Sequence, residues 1–155
     1  MTFALRRATQ ADLDAIMAIE TATFASDAWS SDAMASELAS GHTYYLVAER
    51  DGVEGYAGLL APRRSFQADV QTIAVSVSAR RQGLGRVLML RLIDVARERG
   101  ATELFLEVRA DNPSAQSLYE SLGFEQIAVR PKYYGGLVDA NIMRLDIPQP
   151  RTGLA

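Results

Sequence analysis

The sequence predicts a mixed α/β fold, an α+β mixed sheet flanked by helices, and three observations lead to it. The apolar period is helical before Gly41, turns β-like from Tyr44 to Val77, and is helical again from Leu84. A glycine-rich run, Arg80-Arg81-Gln82-Gly83-Leu84-Gly85, joins a β-branched segment to an apolar helical stripe. The 155 residues are 48% hydrophobic and 23% charged with a formal net charge of -3, the proportions of one globular domain at about 150 residues each. A chain of that size buries roughly 70% of its unfolded surface and needs no disulfide or metal to hold it together.

Thr9 followed by Asp12 makes a capping-box-like start, and Leu13, Ile16, Met17 and Glu20 follow at helical spacing, so a first helix is expected over Ala11 to Thr21. Ser30 or Ser31 caps a second short helix, Asp32 to Ala39, ended by Gly41. Tyr44 to Glu49 and Gly55 to Ala61 flank the hairpin signal Asp51-Gly52; with Val70 to Val77 they read as a three-stranded antiparallel meander. In the next helix Leu84, Leu88, Leu92, Val95 and Ala96 share one stripe, Arg86, Arg97 and Glu98 lie off it, and Gly100 closes it. Leu104 to Val108 is a strand, Asn112-Pro113 opens a helix to Leu122 that Gly123 ends, and Phe124 to Val129 and Ala140 to Asp146 are the last strands. One domain over 1–147 leaves 148–155, beginning Pro148-Gln149-Pro150, as a flexible tail.

Composition removes several chemistries. With no cysteine and one histidine, His42, the chain builds no zinc or iron–sulfur site, and no metal is expected. Thiol nucleophiles and redox pairs are excluded in the same way. A Ser-His-Asp triad would have to use His42, which follows Gly41 in a turn and reads as a solvated surface side chain. No apolar stretch is long enough to span a membrane, and the first residues lack the order of a signal peptide. The expectation is a soluble, cytoplasmic protein, and its net acidity argues against a nucleic-acid partner.

A strand, a tight glycine loop and a helix N-terminus together make an anion site, because the first helical amides are unpaired and the macrodipole is positive there. Arg80, Arg81 and Arg86 concentrate charge at this spot. An ordinary connection with solvated arginines fits the loop equally well. A Walker loop is excluded, since the one lysine is Lys132, and a dinucleotide fingerprint fails because Gly83-Leu84-Gly85-Arg86-Val87-Leu88 ends in leucine.

The run Ile73-Ala74-Val75, followed by Arg80-Arg81-Gln82-Gly83-Leu84-Gly85, resembles the acetyl-coenzyme A motif (Gln/Arg-x-x-Gly-x-Gly/Ala) of the GNAT superfamily of N-acetyltransferases. Leu106-Glu107-Val108-Arg109-Ala110-Asp111-Asn112 and Ala115 to Phe124 are similar to the branch that acetylates the N-terminal alanine of a small-subunit ribosomal protein, as are Tyr133-Tyr134 and Asp139-Ala140. The resemblance covers essentially the whole domain and departs from that branch at Gly135-Gly136-Leu137-Val138, which puts acceptor specificity in question.

The resemblance implies acetyl-CoA as co-substrate, with backbone groups of Ile73, Ala74 and Val75 meeting its pantetheine amides and helping to stabilise the oxyanion. It implies a diphosphate cradle over Arg80, Arg81, Gln82, Gly83, Leu84, Gly85 and Arg86, and cofactor contacts from Asn112 and Tyr119. Read without it, Ile73 to Val75 are core strand and Asn112 is an N-cap. Glu107 has two readings from sequence: a carboxylate awkward in a strand covered on both faces, or an exposed residue beside Glu103 and Arg109. The resemblance makes it the general base, and an α-amine of pKa ~7.7–8.0 needs only that much help. Tyr119, otherwise a packing residue, becomes the general acid that protonates the coenzyme A thiolate. Trp29, Tyr133 and Tyr134 are acceptor-groove candidates, with Trp29 equally readable as a core aromatic.

The function expected is direct acetyl transfer, in a ternary complex, to a protein N-terminus such as that of a ribosomal protein. Two rivals stand beside it: the same fold acting on a small amine or a protein lysine, and a non-catalytic acyl-CoA-binding module.

Overall fold

A computed structural model describes residues 2–149. Seven strands form one sheet, in the spatial order β1-β2-β3-β4-β5-β7-β6: β1 (Ala4–Arg7), β2 (Thr43–Glu49), β3 (Val53–Leu60), β4 (Gln67–Val75), β5 (Glu103–Arg109), β6 (Glu125–Tyr134) and β7 (Val138–Asp146). Only β4 and β5 run parallel; every other pairing is antiparallel. The helices are α1 (Leu13–Phe24), α2 (Ser31–Ala39), α3 (Leu84–Glu98) and α4 (Pro113–Ser121). The mixed α/β architecture is the expected one, and it contains the expected antiparallel meander, β2-β3-β4.

Most element ends shift by one or two residues from the expected positions, and four departures are larger. The first helix begins as a 3-10 turn over Gln10–Asp12, because the Asp12 carboxylate accepts the Thr9 amide at 2.8 Å and tightens the entry; α1 then runs three residues past Thr21. β1 was not expected: its four residues are mostly exposed and it pairs only with β2 at the sheet edge. β4 begins three residues before Val70. β6 extends five residues past Val129 through mostly exposed positions, where apolar alternation gives no signal. Positions 150–155 of the expected tail lie outside the described residues. Pro148 is held, its carbonyl accepting the Arg97 Nε at 2.8 Å.

Strand alternation sends two sets of side chains to opposite faces. Leu46, Ala48, Ala57 and Leu59 pack with Leu88, Met89, Leu92 and Ala96 of α3, and with Tyr119 of α4. Tyr45, Val47 and Tyr56 pack with Ile16 and Ile19 of α1 and Met34 of α2. Fully buried side chains of this kind contribute about 2 kcal/mol each, so α3, which buries all five residues of the predicted stripe and also Met89 and Ile93, is the main anchor of its face.

In β4 the parity of the side chains changes. Gly58 pairs with Thr72 and Leu59 with Val70, which leaves Gln71 as a bulge. Ala68 consequently belongs to the α3 core and Ala74, an even number of residues on, to the α1 core. The bulge also lies where β4 leaves β5: the two pair only over Gln67↔Glu103, Ala68↔Leu104 and Asp69↔Phe105. Beyond Asp69 the edge of β4 has no strand partner on that side, and the sheet is split.

Candidate active site

The split opens into a cleft of about 1820 Å³ that runs from the glycine-rich loop, between β4 and β5, to the α1–α2 connection and the end of β6. Its cofactor-side wall is built from backbone. Ile73, Ala74 and Val75 line it along the unpaired edge of β4, with side chains shared between the two cores. The following loop carries left-handed backbone at Arg81 (φ 63) and Gly83 (φ 77), a conformation that turns successive amides toward one concavity. Gly83 is the N-cap of α3, so the first amides of a fifteen-residue helix open into the cleft. Arg80, Arg81, Leu84, Gly85 and Arg86 line it as well.

Not every expected residue faces this space. Gln82 is turned away, accepting the Arg50 guanidinium at 3.0 Å and donating to the Ser78 carbonyl at 3.2 Å. Arg80 donates to the Val75 carbonyl at 3.1 Å and Arg86 to the Ser121 hydroxyl at 2.9 Å, so both are braced at the mouth. Asn112 lines the cleft and caps α4, its Oδ1 accepting the Ala115 amide at 3.2 Å.

The two candidate catalytic side chains come from opposite faces of the sheet. Leu104, Leu106 and Val108 of β5 pack into the α3 core, so Glu107 projects to the α1 face. That face of β5 is left half open, and the Glu107 side chain is 29% exposed. The dilemma of a buried strand carboxylate therefore dissolves: Glu103 and Arg109 do share its face, as the exposed reading held, and that face is a wall of the cleft. Glu107 pairs with Arg130 at 3.2 Å. Tyr119 reaches the gap from α4 on the other side, packed edge-on against Phe124 at 6.0 Å, and it is 8% exposed. Burial, then the neighbouring Tyr134, pushes its phenol up to about 12, so it remains a proton donor at neutral pH.

Beyond Glu107 the cleft is lined by aromatics and charges. Trp29 is half-buried against the α1 core and also faces the cleft. Tyr133 and Tyr134 pack edge-to-face at 5.1 Å, with Arg130 over the first ring and Arg109 over the second. The divergent Gly135-Gly136 segment is a tight hairpin turn joining β6 to β7, with φ of 59 and 73.

Sequence reasoning missed Asp69, Asp27, Arg130 and Glu20, all of which line this space. Asp69 is the last residue of β4 paired with β5, and burial, reinforced by the Glu107 charge, raises its carboxyl pKa. Asp27 is ion-paired with Arg109. Glu20 is fully buried, accepting the Thr72 hydroxyl at 2.8 Å, the Tyr56 hydroxyl, and the Trp29 amide at 3.0 Å, which ties the α1–α2 connection to the sheet. A carboxylate on the apolar stripe of a predicted helix was the available signal for Glu20.

Residues 13–124 match the acetyltransferase (GNAT) family. The chain is 37% identical over 147 residues to the N-alpha-acetyltransferase RimI of Mycobacterium tuberculosis, covering 92% of this chain and 91% of that one. It is 40% identical over 141 residues to the uncharacterized protein ML0378 of Mycobacterium leprae, where the alignment spans 88% of this chain but only 38% of the relative. Among solved structures, the ribosomal-protein-S18-alanine N-acetyltransferase of Escherichia coli superposes with a TM-score of 0.85 at 34% identity, covering 99% of both chains. The yncA protein of Salmonella typhimurium, solved with its cofactor acetyl-CoA, gives 0.80 at 26% identity, covering 100% of this chain and 99% of that one.

Proposed function

The chain belongs to the acetyltransferase (GNAT) family and is an acyltransferase, and on that premise we propose that it acetylates the α-amine of a protein N-terminus, that of an alanine-starting ribosomal protein. Acetyl-CoA is the co-substrate, and the cleft suits it: an unpaired strand edge at Ile73 to Val75 for amide groups, and the amides between Arg81 and Arg86 for a diphosphate. The observation that carries the reading is the placement of Glu107 and Tyr119 on opposite faces of one split sheet, both lining the same cleft. Glu107, directly or through one water, takes the proton of the attacking amine; Tyr119 returns one to the departing thiolate; and backbone of the Ile73–Val75 edge meets the developing oxyanion. Transfer is direct within a ternary complex, since the sequence offers no cysteine to carry the acetyl group.

Trp29, Tyr133 and Tyr134 flank the acceptor arm, where Asp69, unlike the arginine-paired Asp27 and Glu107, has no ion-pair partner among the described residues and favours an amine-bearing peptide. The identity to an N-alpha-acetyltransferase and the superposition on a ribosomal-protein-alanine N-acetyltransferase support this acceptor class. A ribosomal acceptor places the reaction in the cytoplasm, and among the described residues no helix is long and apolar enough to cross a membrane. The test presents acetyl-CoA with an alanine-starting peptide, the same peptide Nα-blocked but bearing lysine, and a polyamine, and reads the acetylated product by mass spectrometry. Transfer to the free α-amine alone is expected; preference for the polyamine or the lysine would overturn the assignment. Comparing protein N-termini in cells with and without the chain then identifies the acceptor.

A further inference from the structure

A second cavity, of about 390 Å³, lies on the α3 face of the sheet and shares no lining residue with the cleft. It sits toward the C-terminal half of α3, and the fifteen-residue helix puts roughly 22 Å between its own two ends. Four guanidinium groups line it: Arg7 from the end of β1, Arg63 from the β3–β4 connection, Arg91 from α3, and Arg99 just past its last turn.

The charges there are unbalanced. Arg6, Arg50, Arg97, Arg109, Arg130 and Arg144 each hold a carboxylate within 4.0 Å, whereas among the described residues none of these four does. Asp94 and Glu98 are also in the wall, but Asp94 is engaged by Arg97 at 3.1 Å. Arg99 is only 9% exposed, and its Nη1 donates to the Thr43 and Ala61 carbonyls at 3.3 and 3.2 Å. Burial first, and then the charges of Arg63 and Arg7, depress its pKa. Tyr44 offsets part of this, with Arg7 5.0 Å and Arg99 5.8 Å from its ring centroid. Both cations thereby occupy the ring, so a ligand here is recognised through charged oxygens and not by stacking a base.

We propose that this cavity is an anion site for the terminal phosphoryl or diphosphate group of a small molecule. Guanidinium forks match phosphoryl oxygens in geometry as well as charge, and a concave pocket accepts a chain end more readily than a polymer backbone passing through. The site is independent of the acyl-transfer cleft.

The experiment titrates inorganic diphosphate calorimetrically into the full chain loaded with one equivalent of coenzyme A, so that the cleft is already filled. One further equivalent is expected to bind. Arg63→Ser and Arg91→Ser, both at exposed positions, are each expected to weaken that binding about tenfold, with the double variant losing it. KM for acetyl-CoA and the unfolding midpoint should stay unchanged in both, which separates loss of the site from loss of the fold. No diphosphate uptake, or equal uptake by the double variant, overturns the proposal. Displacement of diphosphate by an RNA oligonucleotide lacking a terminal phosphate overturns the terminal-phosphoryl assignment.

Discussion

A carboxylate and a phenol that meet at one gap have separable pH signatures. An α-amine titrates near ~8, so a base is needed below that pH and is dispensable above it. Glu107→Gln should therefore lower kcat/KM about 100-fold at pH 6.5 and progressively less as pH rises past ~8.5, with KM for acetyl-CoA unchanged; a uniform loss at every pH would remove it from the base role. Tyr119, with its phenol pushed up to about 12, stays protonated over the whole working range. Tyr119→Phe should then cost about 100-fold in kcat with no change in the profile below pH ~10, and full turnover by this variant would end the acid assignment. These two residues were legible to different degrees. Glu107 stood out as a charge among apolar neighbours, whereas a tyrosine packed into a core, as Tyr119 is, carries no mark in sequence beyond the motif around it. Asp69, Asp27 and Arg130 were illegible because each acts by facing a residue far along the chain: Asp69 faces Glu107, Asp27 pairs with Arg109, and Arg130 with Glu107.

At the scale of elements, the split depends on a bulge that no pattern announces. The period-2 rule predicts strand β4 but not that Gln71 is inserted without a partner, so the switch of Ala74 to the α1 core became visible only in the pairing. Edge strands escaped for the opposite reason: β1 and the end of β6 are mostly exposed and carry no sustained apolar alternation. The central meander, α3 and α4 were legible because burial imposes their periods. A neighbouring glycine holds the bulge in place. The Tyr45 ring lies over Gly58, where an added Cβ would come within 2.2 Å of its Cζ, and the Tyr45 hydroxyl donates to Gln71 at 2.6 Å. Since Tyr45 is 3% exposed, the ring has no room to retreat. Gly58→Ala should destabilise the fold by about 3 kcal/mol in urea, with Gly58→Ala/Tyr45→Leu recovering part of the loss; a near-neutral single variant would show that the bulge is not braced this way.

For the whole molecule, acid sensitivity follows from two carboxylates shifted in opposite senses. The Arg6 guanidinium, donating at 2.8 Å to both oxygens, holds Asp12 below the usual carboxylate range. A depressed folded pKa contributes stability that is complete above the unfolded value of ~3.9 and is lost as pH falls through the folded one. Asp69 is the reverse: burial first, and Glu107 second, raise it, so its favourable contribution is present below ~3.9 and disappears as pH rises through its folded value. At neutral pH, Asp69 is thus a stability cost retained at the junction where β4 parts from β5. Urea unfolding at several pH values checks both signs. Asp12→Asn should lower the midpoint at pH 7 and matter progressively less as pH falls through the folded pKa. Asp69→Asn should raise the midpoint at pH 7 and leave it unchanged near pH ~3, where the wild-type carboxyl is already protonated. If Asp69→Asn were destabilising at pH 7 and neutral in acid, the carboxylate would be stabilised in the folded state, and the crowding of charge between Asp69 and Glu107 would not exist.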